Sequence, residues 1–144
     1  LKKANVLDLY SGTGSFGLEC LSREAQKVYF VEKDKNTINT LEKNINKLNL
    51  KNKTEVFFND VFKLVEKENH LNIKFNLIFC DPPYKEEKIY NLIKLIFERD
   101  LLKKDGIIII HRKKGAKDSF PNFFQPIDER NYGVSKIIFG KFIF

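Results

Sequence analysis

The stretch that most restricts how this chain can fold is Val6-Leu7-Asp8-Leu9-Tyr10-Ser11-Gly12-Thr13-Gly14-Ser15-Phe16-Gly17. An apolar run leads into closely spaced glycines, and a helical pattern follows at once. Glycines at such a junction permit a tight turn and close approach of the backbone to a ligand, the strand–turn–helix opening of an α/β sheet. The remaining pattern agrees. Strand-like segments are expected at 5–9, 27–31, 54–58, 76–80 and 107–110, the last apolar throughout, as suits a strand buried on both faces. Helical periodicity is expected over 15–22, 35–48 and 87–98, with Ile38, Leu41, Ile45 and Leu48 at spacings of three and four. Segments 123–127 and 136–144 read as strands separated only by a turn-prone piece around Asn131 and Gly133, a connection short enough to force antiparallel pairing. The predicted fold class is α/β and Rossmann-like: a mostly parallel sheet closed by a terminal hairpin, forming a single domain over 1–144.

Bulk properties narrow the function classes. No apolar run approaches the roughly 20 residues that span a bilayer, and no signal-peptide pattern opens the chain, so a cytoplasmic protein with no membrane partner is expected. Cys20 and Cys80 stand in apolar surroundings without metal-type spacing and read as reduced core residues; no metal is expected. The net charge of +7 suits an anionic partner such as nucleic acid. The excess is lysine, 22 against 4 arginines, a bias that an AT-rich coding sequence also produces. The chain contains no Met, so Leu1 is not expected to be a natural start.

Gly12, Gly14 and Gly17 form a cofactor-type loop, and Glu32, twenty residues past Gly12, ends the second strand where an acid would bond ribose hydroxyls. Dinucleotide binding is the obvious competitor. Asp8 separates the two readings: a carboxylate just before the turn would repel a pyrophosphate, which needs bare amides, and suits the ammonium of a methionine moiety instead. Asn59-Asp60, after the third strand, can meet an adenine amino group. The plainer reading makes Asp8 and Asp60 turn caps. The expected cofactor is S-adenosyl-L-methionine, held by Asp8, Gly12, Gly14, Gly17, Glu32, Lys33, Asp60 and Val61.

The fourth strand runs into Asp81-Pro82-Pro83-Tyr84. An exocyclic amine on a nucleobase is a poor nucleophile because its lone pair is delocalised into the ring. Two acceptors that draw its hydrogens out of plane aim that lone pair at a methyl donor. The Asp81 carboxylate and the Pro82 carbonyl are natural acceptors, the two prolines fix the backbone and cannot donate, and Tyr84 can stack on the base. Asp81, Pro82, Pro83 and Tyr84 are therefore the candidate catalytic residues. Asp81 is expected to orient the amine rather than act as a strong base. In isolation the tetrapeptide also fits a simple Asp-Pro turn closing a buried strand.

Taken together, Val6 to Gly14, Gly17-Leu18-Glu19, Leu21-Ser22-Arg23, Phe30-Val31-Glu32-Lys33-Asp34, Phe75 to Tyr84 and Tyr132-Gly133 resemble the RsmD-type family of 16S rRNA (guanine-N2) methyltransferases within the class I methyltransferase superfamily. The resemblance implies a seven-stranded sheet whose last strand is antiparallel. It also implies in-line transfer with no metal and no covalent enzyme intermediate, and a monomer acting on ribosomal RNA or the assembling small ribosomal subunit. By resemblance the target is guanine 966 of that RNA; the alternative is adenine-N6 methylation of DNA or RNA. The family's basic N-terminal segment is expected to be absent. Where the family often has an acid after the fifth strand, this chain reads His111-Arg112-Lys113-Lys114. Lys85, Lys88, Arg112, Lys113 and Lys114, flanked by Lys33 and Lys35, are the basic residues expected nearest the RNA.

Overall fold

The computed structural model describes residues 1–66, 73–83 and 88–143. Seven strands form one sheet in the order β3-β2-β1-β4-β5-β7-β6. They are β1 (Asn5–Leu9), β2 (Lys27–Glu32), β3 (Thr54–Phe58), β4 (Phe75–Cys80), β5 (Leu102–Lys113), β6 (Phe124–Tyr132) and β7 (Ser135–Phe142), joined by helices α1 (Ser15–Ser22), α2 (Lys35–Lys47), α3 (Val61–Glu66) and α4 (Ile89–Glu98). Strands β1 to β5 pair in parallel, and β7 runs antiparallel to both β5 and β6. The Rossmann-like sheet expected from the sequence, with its last strand reversed, is the one observed. The chain order turns back between β1 and β4, and this switch point opens a crevice at the carboxyl ends of the strands.

Side chains alternate between two cores. On one face Val6, Val28 and Phe30 pack with Cys20 and Leu21 of α1 and with Ile38, Leu41 and Ile45 of α2. On the other, Leu7, Leu9, Val31 and Ile78 pack with Val61, Leu64, Ile89, Leu92, Ile93 and Ile96 from α3 and α4. Both cysteines are buried free thiols, as expected. Burial, reinforced by the nearby Asp8 carboxylate, pushes the Cys20 thiol up to about 12, so it is inert at neutral pH.

Three elements depart from expectation. The short helix α3 carries too few turns to show a period, and the sequence pattern does not predict it. Strand β5 begins at Leu102 rather than 107, because Leu102 pairs with Phe75 across an irregularity that absorbs the polar residues between. Strand β6 continues through Asp128, Glu129 and Arg130 to Tyr132, leaving Gly133-Val134 as a two-residue hairpin loop. It is an edge strand exposed along nearly its whole length, so charged residues fit it, and Pro126 stands at its register shift, where a missing donor is tolerated. Among the described residues, no helix is long and apolar enough to cross a membrane.

Candidate active site

The ends of β1, β2, β3, β4 and β5 bring the predicted residues to one edge. The loop after β1 is tightly specified. Tyr10 takes a left-handed backbone, φ +60°, uncommon for a residue with a side chain and often found at ligand sites. Ser11 then ties β1 to β2: its hydroxyl donates to the Asp8 carbonyl at 2.6 Å and accepts from the Val31 amide at 3.0 Å. Gly14, at φ +94°, caps α1 in a left-handed conformation that favours glycine, and a Cβ there would also press the Leu41 side chain at 2.3 Å. Gly17 is required for another reason, close seating of α1 on β2, since a Cβ would meet the Phe30 ring at 2.3 Å.

Glu32 is the keystone of this half. Its Oε1 accepts from the Gly12 amide at 2.9 Å and its Oε2 from the Asp34 amide at 2.8 Å. The carboxylate thus clamps the glycine loop to the end of β2, while each oxygen keeps capacity for a further donor. A cavity of about 210 Å³ opens beside it, lined by Tyr10, Gly12, Val31, Glu32, Lys33, Asn59, Val61, Asp81 and Pro83.

Of the eight residues assigned to the cofactor, Gly12, Glu32, Lys33 and Val61 line this cavity, while Asp8, Gly14, Gly17 and Asp60 are not on its wall. Asp60 accepts the Lys63 amide at 3.2 Å and so caps α3; its neighbour Asn59 lines the cavity instead. Asp8 is 1% exposed, its carboxyl buried beneath the glycine loop near the Gly17 amide. Burial pushes its carboxyl from 3.8 up to about 8; the Gly17 amide offsets part of this, and the Asp81 and Glu32 charges add to it.

On the other side of Asp81 lies a second, larger cavity of about 320 Å³, lined by Asp81, Pro82, Pro83, His111, Arg112, Lys113, Val134 and Ser135. Asp81 and Pro83 belong to both cavities. Tyr84 and Lys85 lie outside the described residues. Phe79, two residues before Asp81, stacks on Phe16 at 3.9 Å and fastens the start of α1 to the end of β4. His111 Nδ1 sits 2.9 Å from Asp81 Oδ1, a contact the sequence reading missed. The signal was the register: Cys80 pairs with Ile110, so the next residues on the two strands are Asp81 and His111.

One expectation is corrected. Arg112, expected as an open cation near the RNA, is buried, its Nε donating to Asp118 Oδ2 and one terminal nitrogen to Asp118 Oδ1, each at 2.9 Å. This fork pins the segment after β5, which Lys136 also holds by donating to the Ala116 carbonyl at 2.7 Å. Lys88 stands over the Phe62 ring at 5.6 Å.

The family described as conserved hypothetical protein 95 matches residues 1–141. The ribosomal RNA small subunit methyltransferase D of Haemophilus influenzae is 30% identical over 138 residues, covering 93% of this chain and 69% of that protein. The chain belongs to this RsmD-type family of class I methyltransferases. Another relative, YlbH of Bacillus subtilis, is 38% identical over 103 residues, 72% of this chain and 56% of its own length, so the chain spans little more than half of that relative. The crystal structure of the Haemophilus influenzae protein HI0767 superposes with a TM-score of 0.86 at 28% identity, over 98% of this chain and 88% of that one. The cofactor of the class is S-adenosylmethionine.

Proposed function

We propose that this protein methylates the exocyclic N2 amine of a guanine in small-subunit ribosomal RNA, using S-adenosylmethionine. The observation that carries the reading is the pair of cavities that share Asp81 and Pro83. A transferase of this kind needs two ligand sites separated by little more than the reacting atoms, with the orienting acceptor between them. The family relation and the name of the Haemophilus relative support ribosomal RNA as the substrate class.

The residues fit the cofactor. Glu32 and Asn59 offer acceptors and a donor along the smaller cavity, and Val31 and Val61 offer apolar walls. When bound, the cofactor supplies an electrophilic methyl group. The chain's own residues do the rest by positioning. The Asp81 carboxylate and the Pro82 carbonyl accept the two amine hydrogens and turn the nitrogen lone pair out of the ring plane. Pro82 and Pro83 hold that carbonyl in place, because neither can twist φ freely or donate elsewhere. The larger cavity takes the base, which must be unpaired or turned out of its helix to enter.

Incubating the intact protein with unmethylated small-subunit RNA or subunits, and digesting the product to nucleosides for mass spectrometry, tests the proposal. N2-methylguanosine is expected. N6-methyladenosine instead would establish the adenine reaction, and transfer to neither base would overturn the reading.

A further inference from the structure

We infer that His111 is a positioning residue for Asp81, fixing which carboxylate oxygen faces the target amine; this rests on the amine-methylation reading above. The two side chains project from adjacent parallel strands one step beyond the last paired residues, and both line the larger cavity. His111 Nδ1 lies 2.9 Å from Asp81 Oδ1. A carboxylate only accepts, so Nδ1 carries the hydrogen and the imidazole is set in that tautomer.

The terminal torsion of an aspartate is a broad, nearly two-fold well, so an unheld carboxylate would present either oxygen over a range of angles. Holding Oδ1 removes that freedom and assigns Oδ2 to the amine. The holder is itself firmly seated. His111 lies on β5, between β4 and β7, and is opposite Ile137 in the antiparallel ladder. Sites on strands keep their geometry better than sites on loops, and Asp81 itself stands just past the end of β4. His111 therefore supplies, from a central strand, a fixed partner for a carboxylate that stands just past the end of β4.

The test uses His111→Ala and His111→Asn in the intact protein, since the Asn amide nitrogen falls near the place of Nδ1. For Ala, the single-turnover rate at saturating RNA and cofactor should fall about tenfold, the worth of one lost charge-assisted hydrogen bond. RNA KM and cofactor affinity should stay put, and Asn should recover most of the rate. The losses from His111→Ala and Asp81→Asn should sum to more than the loss in the double variant, because one acts through the other. Nitrogen NMR of the ring gives a readout free of turnover: the Nδ1-protonated tautomer in the unaltered protein, lost in Asp81→Ala. Additive losses, a change confined to KM, an unimpaired His111→Ala enzyme, or an Nε2-protonated His111 would each overturn the inference. Absence of methyl transfer by the unaltered protein would overturn the proposed reaction instead, and the tautomer would then decide whether the pair exists.

Discussion

The two cavities on either side of Asp81 are built by opposite means. On the smaller side, acidic side chains bind backbone amides near in sequence or one strand away: Glu32 takes Gly12 and Asp34, Asp34 takes Thr37, and Asp60 takes Lys63. On the larger side, charged and polar side chains hold one another, His111 with Asp81 and Arg112 with Asp118. Acids tied to amides shape a wall that exists before any ligand arrives. Paired side chains instead create a wall whose geometry depends on both partners, so single substitutions should act there through the residue left behind.

The largest free-energy effect should come from the buried fork. Asp118→Ala takes the bidentate acceptor away from the Arg112 guanidinium where both side chains are only 8% exposed, and about 3–5 kcal/mol of folding stability should be lost. Denaturant unfolding measures it. A loss under about 1 kcal/mol would show that Arg112 finds other partners and would weaken the contrast between the two sides.

Glu32→Ala should act next, and mostly on binding. It removes the acceptor for a ligand hydroxyl together with the clamp on Gly12, and affinity for S-adenosylhomocysteine should drop by about 1.5–3 kcal/mol in calorimetry. Glu32→Gln should lose less, since its single oxygen still reaches one amide. Unchanged affinity in the Ala variant would remove Glu32 from the cofactor wall.

Asp8 gives a smaller, pH-dependent signature. An unfolded Asp8 releases its proton near 3.8, whereas the folded one keeps it until about 8. Between those values the folded state binds more protons, so this group makes the ligand-free protein less stable as pH rises. Asp8→Asn cannot titrate, and its melting temperature relative to the unaltered protein should improve from pH 5 to pH 8. Parallel melting curves across that window would mean that the carboxyl is already satisfied in solution.

The same contrast explains what could be read from the sequence. Val6 to Gly17, Glu32 and Asp81 announce themselves locally, because a strand end, a glycine turn and an acid at a fixed offset are all properties of short segments. Helix α2 was legible for the same reason, with Ile38, Leu41 and Ile45 buried at helical spacing. The pairing of His111 with Asp81 spans thirty residues and follows only from the register of β4 against β5. Arg112 read as an RNA-facing cation because nothing local shows that the chain folds back to bring Asp118 against it. Asp60 was ambiguous for a third reason: a carboxylate before a helix and a carboxylate beside a ligand look alike until α3 is seen.

The central claim is that Asp81 stands between two ligand sites and serves the amine, not the cofactor. Single-turnover methyl transfer and cofactor titration, run side by side on Asp81→Ala and Asp81→Asn, test it most directly. Asp81→Ala should lose nearly all transfer while binding S-adenosylhomocysteine as the unaltered protein does, and Asp81→Asn should keep part of the rate because an amide oxygen still accepts. An active Asp81→Ala enzyme, or one whose only defect is cofactor binding, would contradict the account.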